Sequence, residues 1–260
     1  MRLIDSHCHL DADEFDGDRA EVIARAQAAG VAVQIVPAVT AAAWPKLRDV
    51  CAAAAGLYPA YGLHPLFLDQ HRPEHLPLLS EWIARERPCA IGECGLDFFV
   101  EGLDEAEQQR YFVGQLQLAR EFDLPVIVHA RRAVDAVILA IRKVGRLRGV
   151  VHSFAGSPEQ ARQLQSLDFL IGLGGPVTYD RAQRLRRLAA GMPLQQLLLE
   201  TDAPDQPDAS IRGERNEPAR LRTVLDTIAA LRGQPAAEIA EQTTRNAQQL
   251  FGLDASAVPA

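Results

Sequence analysis

The sequence predicts an α/β protein, a single (β/α)8 TIM barrel with extra C-terminal helices over residues 1–260. Three observations point there. Short β-rich runs alternate with longer amphipathic stretches from one end of the chain to the other, the rhythm of repeated βαβ units. The runs number about eight, the strand count of a closed barrel. Residues able to carry chemistry fall at the ends of the first, fourth, fifth, sixth and eighth runs. A doubly wound open sheet shows the same alternation, but it gathers its site at one or two neighbouring strand ends. Only a closed ring brings all five ends together.

The strands are expected at residues 3–5, 31–36, 59–62, 89–92, 125–129, 149–152, 169–172 and 197–201. Each is short, and most are continuously apolar, as strands buried on both faces should be. Val-Ala-Val-Gln-Ile-Val at 31–36 and Pro-Val-Ile-Val at 125–128 are examples. Apolar residues recurring at three- and four-residue spacing predict helices over 18–29, 78–86, 105–122, 133–144 and 158–167, which would form the outer ring. Two further helices, 218–231 and 235–250, follow the last strand and are expected to close the flank. No repeat finer than the βα unit and no linker interrupts this order.

Of the 260 residues, 48% are hydrophobic and 23% charged, which excludes a disordered or fibrous chain. The net charge of −7 has the wrong sign for a broad electrostatic grip on nucleic acid, so phosphate recognition must be local and helped by bound cations. The N-terminal Met-Arg-Leu-Ile-Asp lacks the apolar core of a secretory signal, and no stretch approaches the roughly 20 apolar residues of a membrane helix. A cytoplasmic protein away from membranes is expected. Cys8, Cys51, Cys89 and Cys94 show no Cys-x-x-Cys spacing, so reduced thiols are expected rather than a zinc ribbon or a disulfide framework. No heptad pattern argues for assembly, and a monomer is the expectation.

His7 and His9 stand two residues apart where the first strand ends, and strand alternation sends both imidazoles to one side. An isolated pair of this kind is more often structural than chelating. Glu93 lies in Ile-Gly-Glu-Cys-Gly-Leu-Asp, whose glycines are expected to turn the chain sharply and let a bridging carboxylate approach a ligand. Buried without a partner, that carboxylate would be costly. His129 ends the fifth strand, His152 the sixth, and Asp202 the eighth, with Pro204 fixing the exit. Each of the six has a structural explanation by itself: a core imidazole, a salt-bridged glutamate, a capping aspartate. Together at the carboxyl face of one barrel, they call for divalent metal. Imidazole and carboxylate without paired thiolates suit two ions such as zinc, manganese or magnesium.

Asp202, with Glu93, is the candidate catalytic residue, accepting a proton from an activated water and returning it to the leaving group. Plain metal ligation is its alternative role. His64, in Gly-Leu-His-Pro, is a candidate donor to phosphate, and Arg131 a candidate bidentate clamp, although rim arginines commonly form salt bridges. Gly172, Gly174 and Gly175 are expected to offer backbone N–H groups to phosphate, and Asp97 to support the metal site from behind. His71 and His75 sit in a polar, Pro-containing connection and are expected to face solvent.

The motifs Asp-Ser-His-Cys-His-Leu at 5–10, Gly-Leu-His-Pro at 62–65, Gly-Glu-Cys-Gly-Leu-Asp at 92–97, Val-His-Ala-Arg at 128–131, Val-His-Ser-Phe at 151–154 and Glu-Thr-Asp-Ala-Pro at 200–204 resemble the TatD family of metal-dependent deoxyribonucleases. The resemblance spans almost the whole chain and includes Asn216, Pro218, Asn246 and Leu250-Phe251. It implies an amidohydrolase-like barrel in which His7, His9 and Asp202 hold one ion, His129 and His152 the other, and Glu93 bridges. It further implies hydrolysis of phosphodiester bonds in DNA. Many members carry an aromatic shortly after the Asp-Ala-Pro turn, where this chain has Asp205-Gln206-Pro207. That difference motivates an alternative, hydrolysis of a small ester, amide or aminoacyl-tRNA bond on the same binuclear site. A degenerate barrel acting only as a binding module would have lost ligands, and all six are present.

Overall fold

The computed structural model describes residues 2–253. Eight strands form one parallel sheet in sequence order: β1 Leu3–Asp5, β2 Val31–Pro37, β3 Leu57–Tyr61, β4 Ala90–Asp97, β5 Val126–Arg131, β6 Gly149–Val151, β7 Phe169–Leu173 and β8 Leu197–Leu199. The ring closes where the Ser6 N–H and Oγ–H both donate to the Leu199 carbonyl, each at 3.0 Å. Nine α-helices are present among the described residues: α1 Arg19–Ala28, α2 Trp44–Ala53, α3 His75–Glu86, α4 Glu105–Phe122, α5 Val134–Val144, α6 Pro158–Gln165, α7 Gln183–Gly191, α8 Leu221–Arg232 and α9 Ala236–Phe251. The fold is the (β/α)8 barrel that the alternation predicts, with α8 and α9 following the last strand.

The interior is filled by one set of inward side chains. Ile4, Val33, Ile35, Ala60, Ala90, Ile127, Val150 and Leu198 pack together, and Ala247, Leu250, Phe251 and Leu253 from α9 and its exit close the floor. A second and larger cluster fills the space between the strands and the outer helices. Asn246 anchors the floor helix by donating to the carbonyls of Leu194 and Leu197, at 2.9 and 2.8 Å. None of the described helices is long and apolar enough to cross a membrane, and all four cysteines are free thiols.

The structure departs from the sequence expectations in three places. The glycines around Glu93 do not turn the chain. β4 runs on through them to Asp97, with its register against β5 shifting between Ile91 and Cys94. They are needed instead for close approach: a Cβ on Gly95, whose φ is +143°, would lie 2.0 Å from the His129 carbonyl oxygen. Helices α2 and α7 had no counterpart among the expected elements. α7 reads Gln-Arg-Leu-Arg-Arg-Leu-Ala-Ala-Gly, too short and too basic to display a broad apolar stripe. Finally, His71 does not face solvent. It is 4% exposed and its Nε2–H donates to the His64 carbonyl at 2.9 Å, while His75 is half-buried in the first turn of α3.

Candidate metal centre

The strand ends at the carboxyl face bring His7, His9, Glu93, His129, His152 and Asp202 into one cluster. Glu93 is at its middle and is 1% exposed. Its Oε2 lies 3.1 Å from His7 Nε2 and 3.4 Å from His9 Nε2. Its Oε1 lies 2.8 Å from His152 Nε2 and 3.3 Å from His129 Nδ1. One carboxylate therefore turns a different oxygen toward each of two imidazole pairs. Asp202 Oδ1 faces the first pair, 3.4 Å from His7 Nε2 and 3.6 Å from His9 Nε2.

Three overlapping groups of donors are close enough to hold a cation: His7, His9 and Asp202; His7, Glu93 and His152; and His64, Glu93 and His129. The hydrogen bonds decide which nitrogens are free to do so. His9 Nδ1 sits 3.2 Å from the Pro37 carbonyl, which can only accept, so the proton is on Nδ1 and the Nε2 lone pair points inward. His129 Nε2 donates to Asp97 Oδ2 at 2.8 Å, leaving Nδ1 bare toward Glu93. His64 differs: its Nδ1 accepts from the Leu66 N–H at 3.2 Å, so the proton is on Nε2, which donates to Glu93 Oε1 at 2.9 Å. With its Nε2 lone pair absent, His64 is a partner of Glu93 rather than a metal donor.

The donor set fits a metal. Bare nitrogens and carboxylate oxygens converge at 2.8–3.6 Å, and the inward Nε2 atoms of His7 and His9 face each other at 3.2 Å. Such a convergence needs positive charge between its members, supplied by protons or by cations. The titration behaviour says the same. Burial opposes charge on His9 and His152, yet Glu93 and Asp202 beside them raise the pKa values to about 9 and about 10. Burial also disfavours the Glu93 carboxylate, but the surrounding imidazoles hold it ionised well below the usual range. Burial pushes His64 down to about 4, matching its neutral tautomer.

Several supporting residues were not singled out as site residues in the sequence. Asp5 Oδ1 accepts from the Thr201 and His7 N–H groups at 3.0 and 3.3 Å, and Oδ2 from the Thr201 hydroxyl at 2.6 Å, tying β1 to the β8 exit behind the site. Glu200, buried at the end of β8, accepts from the Ser153 N–H, and burial lifts its pKa to about 8. Gly172 leaves room for it, because a Cβ there would stand 2.1 Å from Glu200 Oε2. Gly174 likewise packs on Glu200, and Gly175 on the 206–208 segment. Gln206 Nε2 donates to Asp202 Oδ2, and its Oε1 accepts from the Ser153 hydroxyl at 2.8 Å. Asn216 clasps this exit loop through the carbonyls of Thr201 and Asp205, at 2.9 and 2.8 Å. A charged residue inside the apolar Leu-Leu-Leu-Glu run was the signal available for Glu200. Gln206 and Ser153 lie in segments that the sequence marks, but nothing local pairs them, and they meet only through the fold.

The cluster opens into a 1310 Å³ cavity at the barrel mouth. Its walls include Phe67, Phe98, Phe99, Arg131, Arg132 and Arg184. Among the described residues Arg131 forms no salt bridge; its guanidinium lies over Phe99, 3.7 Å from the ring centroid. Asp97 joins wall and centre, since its Oδ2 holds His129 while its Oδ1 accepts the Phe99 and Val100 N–H groups at 2.9 and 3.0 Å.

Known proteins share this arrangement of chain. An uncharacterized metal-dependent hydrolase, YjjV of Escherichia coli K12, is 40% identical over 97% of this chain and 98% of its own. The crystal structure of YjjV, a TatD homolog, superimposes with a TM-score of 0.94 over 97% of this chain and 99% of that one. The 3'-5' ssDNA/RNA exonuclease TatD of Klebsiella pneumoniae is 32% identical over 98% of this chain and 100% of its own. The TatD related DNase family matches residues 4–252, so the chain belongs to that family, whose relatives here are named metal-dependent hydrolases.

Proposed function

We propose that the protein is a deoxyribonuclease that cleaves phosphodiester bonds in DNA, at chain ends or in single strands, with two divalent cations. The observation that carries the reading is the placement of Glu93, one carboxylate presenting separate oxygens to His7 and His9 and to His129 and His152. In this reading His7, His9 and Asp202 would hold one ion and His129 and His152 the other, with Glu93 shared between the two sets. Zinc, manganese and magnesium all suit such donors. When bound, the ions supply Lewis acidity to the phosphoryl group and make water a stronger nucleophile.

The chain's own groups do the rest. Asp202, held at Oδ2 by Gln206, turns its carboxylate to the centre beside His7 and His9, where it takes a proton from the attacking water and returns it to the leaving oxygen. His64 fixes Glu93 through its Nε2–H, and Asp97 fixes the tautomer and ring of His129. Arg131, in the cavity wall, contacts a phosphate of the strand. Asp11, Glu14 and Asp205 line the mouth and disfavour avid duplex binding. The whole chain, residues 1–260, works here as one unit, monomeric and cytoplasmic.

The experiment is digestion of a single-stranded oligonucleotide by metal-loaded protein beside Asp202→Asn, with an aminoacyl ester and an amide in the same panel. Cleavage of the oligonucleotide by the wild type alone is expected. Equal behaviour of the two proteins on it, or turnover confined to the ester or amide, overturns the assignment.

A further inference from the structure

The cavity wall beside β5 carries an aromatic and two cations that the metal centre does not use. Phe99 is 42% exposed, although most large hydrophobic residues of this chain are buried. The guanidinium of Arg131 lies 3.7 Å from its ring centroid and that of Arg132 4.6 Å. Neither arginine has a carboxylate partner among the described residues, and both are exposed. Arg132 is set in position by a left-handed backbone, φ 54°, directly after the strand.

The group is prearranged rather than loose. Asp97 anchors the Phe99 and Val100 amides with the same carboxylate that holds His129, and the Phe98 N–H donates to the Arg131 carbonyl at 2.9 Å. The ring is therefore tied to the reacting centre through one side chain. Charge is distributed unevenly around the mouth. Arg131 ends β5 and Arg132 follows it, with Asp135 in the same wall, whereas Asp11 and Glu14 follow β1, on the opposite side of an eight-stranded ring. A polyanion entering the cavity is drawn to the β5 side and repelled from the β1 side.

Resting on the nuclease reading, we propose that Phe99 and Arg132, with Arg131 beside them, form a subsite for the second nucleotide of the strand, one removed from the nucleotide that carries the scissile phosphate. The exposed part of the Phe99 ring and the planar guanidinium groups beside it are flat surfaces on which any base can stack, and the guanidinium N–H groups suit the neighbouring phosphate. The subsite makes a strand of several nucleotides a better substrate than a single nucleotide ester, without selecting base identity.

Two substrates test this on manganese-loaded protein: a fluorescein-labelled octathymidylate, and the p-nitrophenyl ester of thymidylate, which is too short to reach the subsite. Phe99→Ala and Arg132→Ala are each expected to lose about tenfold in kcat/KM on the octamer, through KM, and to stay within about twofold on the small ester. Phe99→Trp should restore the octamer. Equal losses on both substrates, or no loss on the octamer, overturn the subsite. Fluorescence anisotropy of the labelled octamer on chelator-treated protein gives a readout without turnover, with about tenfold weaker binding expected for both variants. Failure of the wild type to bind, or unchanged binding by the variants, overturns the subsite. A wild type that hydrolyses neither substrate overturns the nuclease reading alone, and the anisotropy then still decides the subsite.

Discussion

The floor and the rim of the barrel are built from the same strands a few residues apart, and they obey opposite rules. Ile4, Ala90, Ile127, Val150 and Leu198 lie in the apolar floor, while His7, Glu93, His129, His152 and Asp202 follow them along the chain into the rim. The floor is closed by α9 and is built from apolar side chains. Its burial stabilises the fold by roughly 25 cal/mol per Å² removed from water. The rim gathers carboxylates and imidazoles out of water, which is unfavourable unless each is held by a hydrogen bond or a cation. Stability therefore originates below and chemistry above, and perturbations of the two should separate.

The largest separation is expected from Asp202→Asn. Loss of its carboxylate should lower hydrolysis by at least about a hundredfold while the thermal midpoint stays near that of the wild type. Steady-state rates and calorimetry on the same preparation check this. A variant that unfolds instead would tie the rim to stability. Next is Ile127→Ala, which opens a hole in the floor and should cost about 2–5 kcal/mol in denaturant unfolding, while metal content per folded molecule is kept. Loss of metal from the folded variant would show that the two layers are coupled.

Metal itself sharpens the contrast. Free zinc or manganese at about a hundred times its dissociation constant should stabilise the protein by about 2.7 kcal/mol over the chelated form. The same increment should appear in Ile127→Ala, and a much smaller one there would again signal coupling. The smallest effect concerns acid. Burial pushes the Asp97 carboxyl up, but His129 and the Val100 and Phe99 amides hold it at about 2. A folded pKa below the unfolded value of about 3.9 adds stability that is complete above that pH and is lost as the pH falls toward the folded pKa. Asp97→Asn should flatten this acid limb in a series of melts between those two values. An unchanged limb would mean that Asp97 is not held this way.

Much of the fold was legible because burial imposes periodicity. Continuously apolar runs such as 125–128 announce strands covered on both faces, and the spacing over 105–122 matches α4 to the residue. The six rim residues were legible because strand alternation and the convergence of a closed ring need no knowledge of distant contacts. What escaped depended on such contacts. The glycines of β4 read as a turn, but their role is set by the His129 backbone passing alongside. His71 reads as solvent-facing, but the His64 carbonyl and the packing around it bury its ring.

The amino-acid order by itself determined the eightfold alternation and which side chains stand at the carboxyl ends of the strands, because both follow from local periodicity. Tertiary structure alone decided what those side chains do to one another. Which oxygen of Glu93 faces which imidazole, which nitrogen of His9, His64 and His129 keeps its proton, and that Gln206 and Ser153 meet beside Asp202 all depend on groups far apart in the chain. Hydrogen bonding is directional and acts over about 3 Å, so its pattern exists only once the ring has closed.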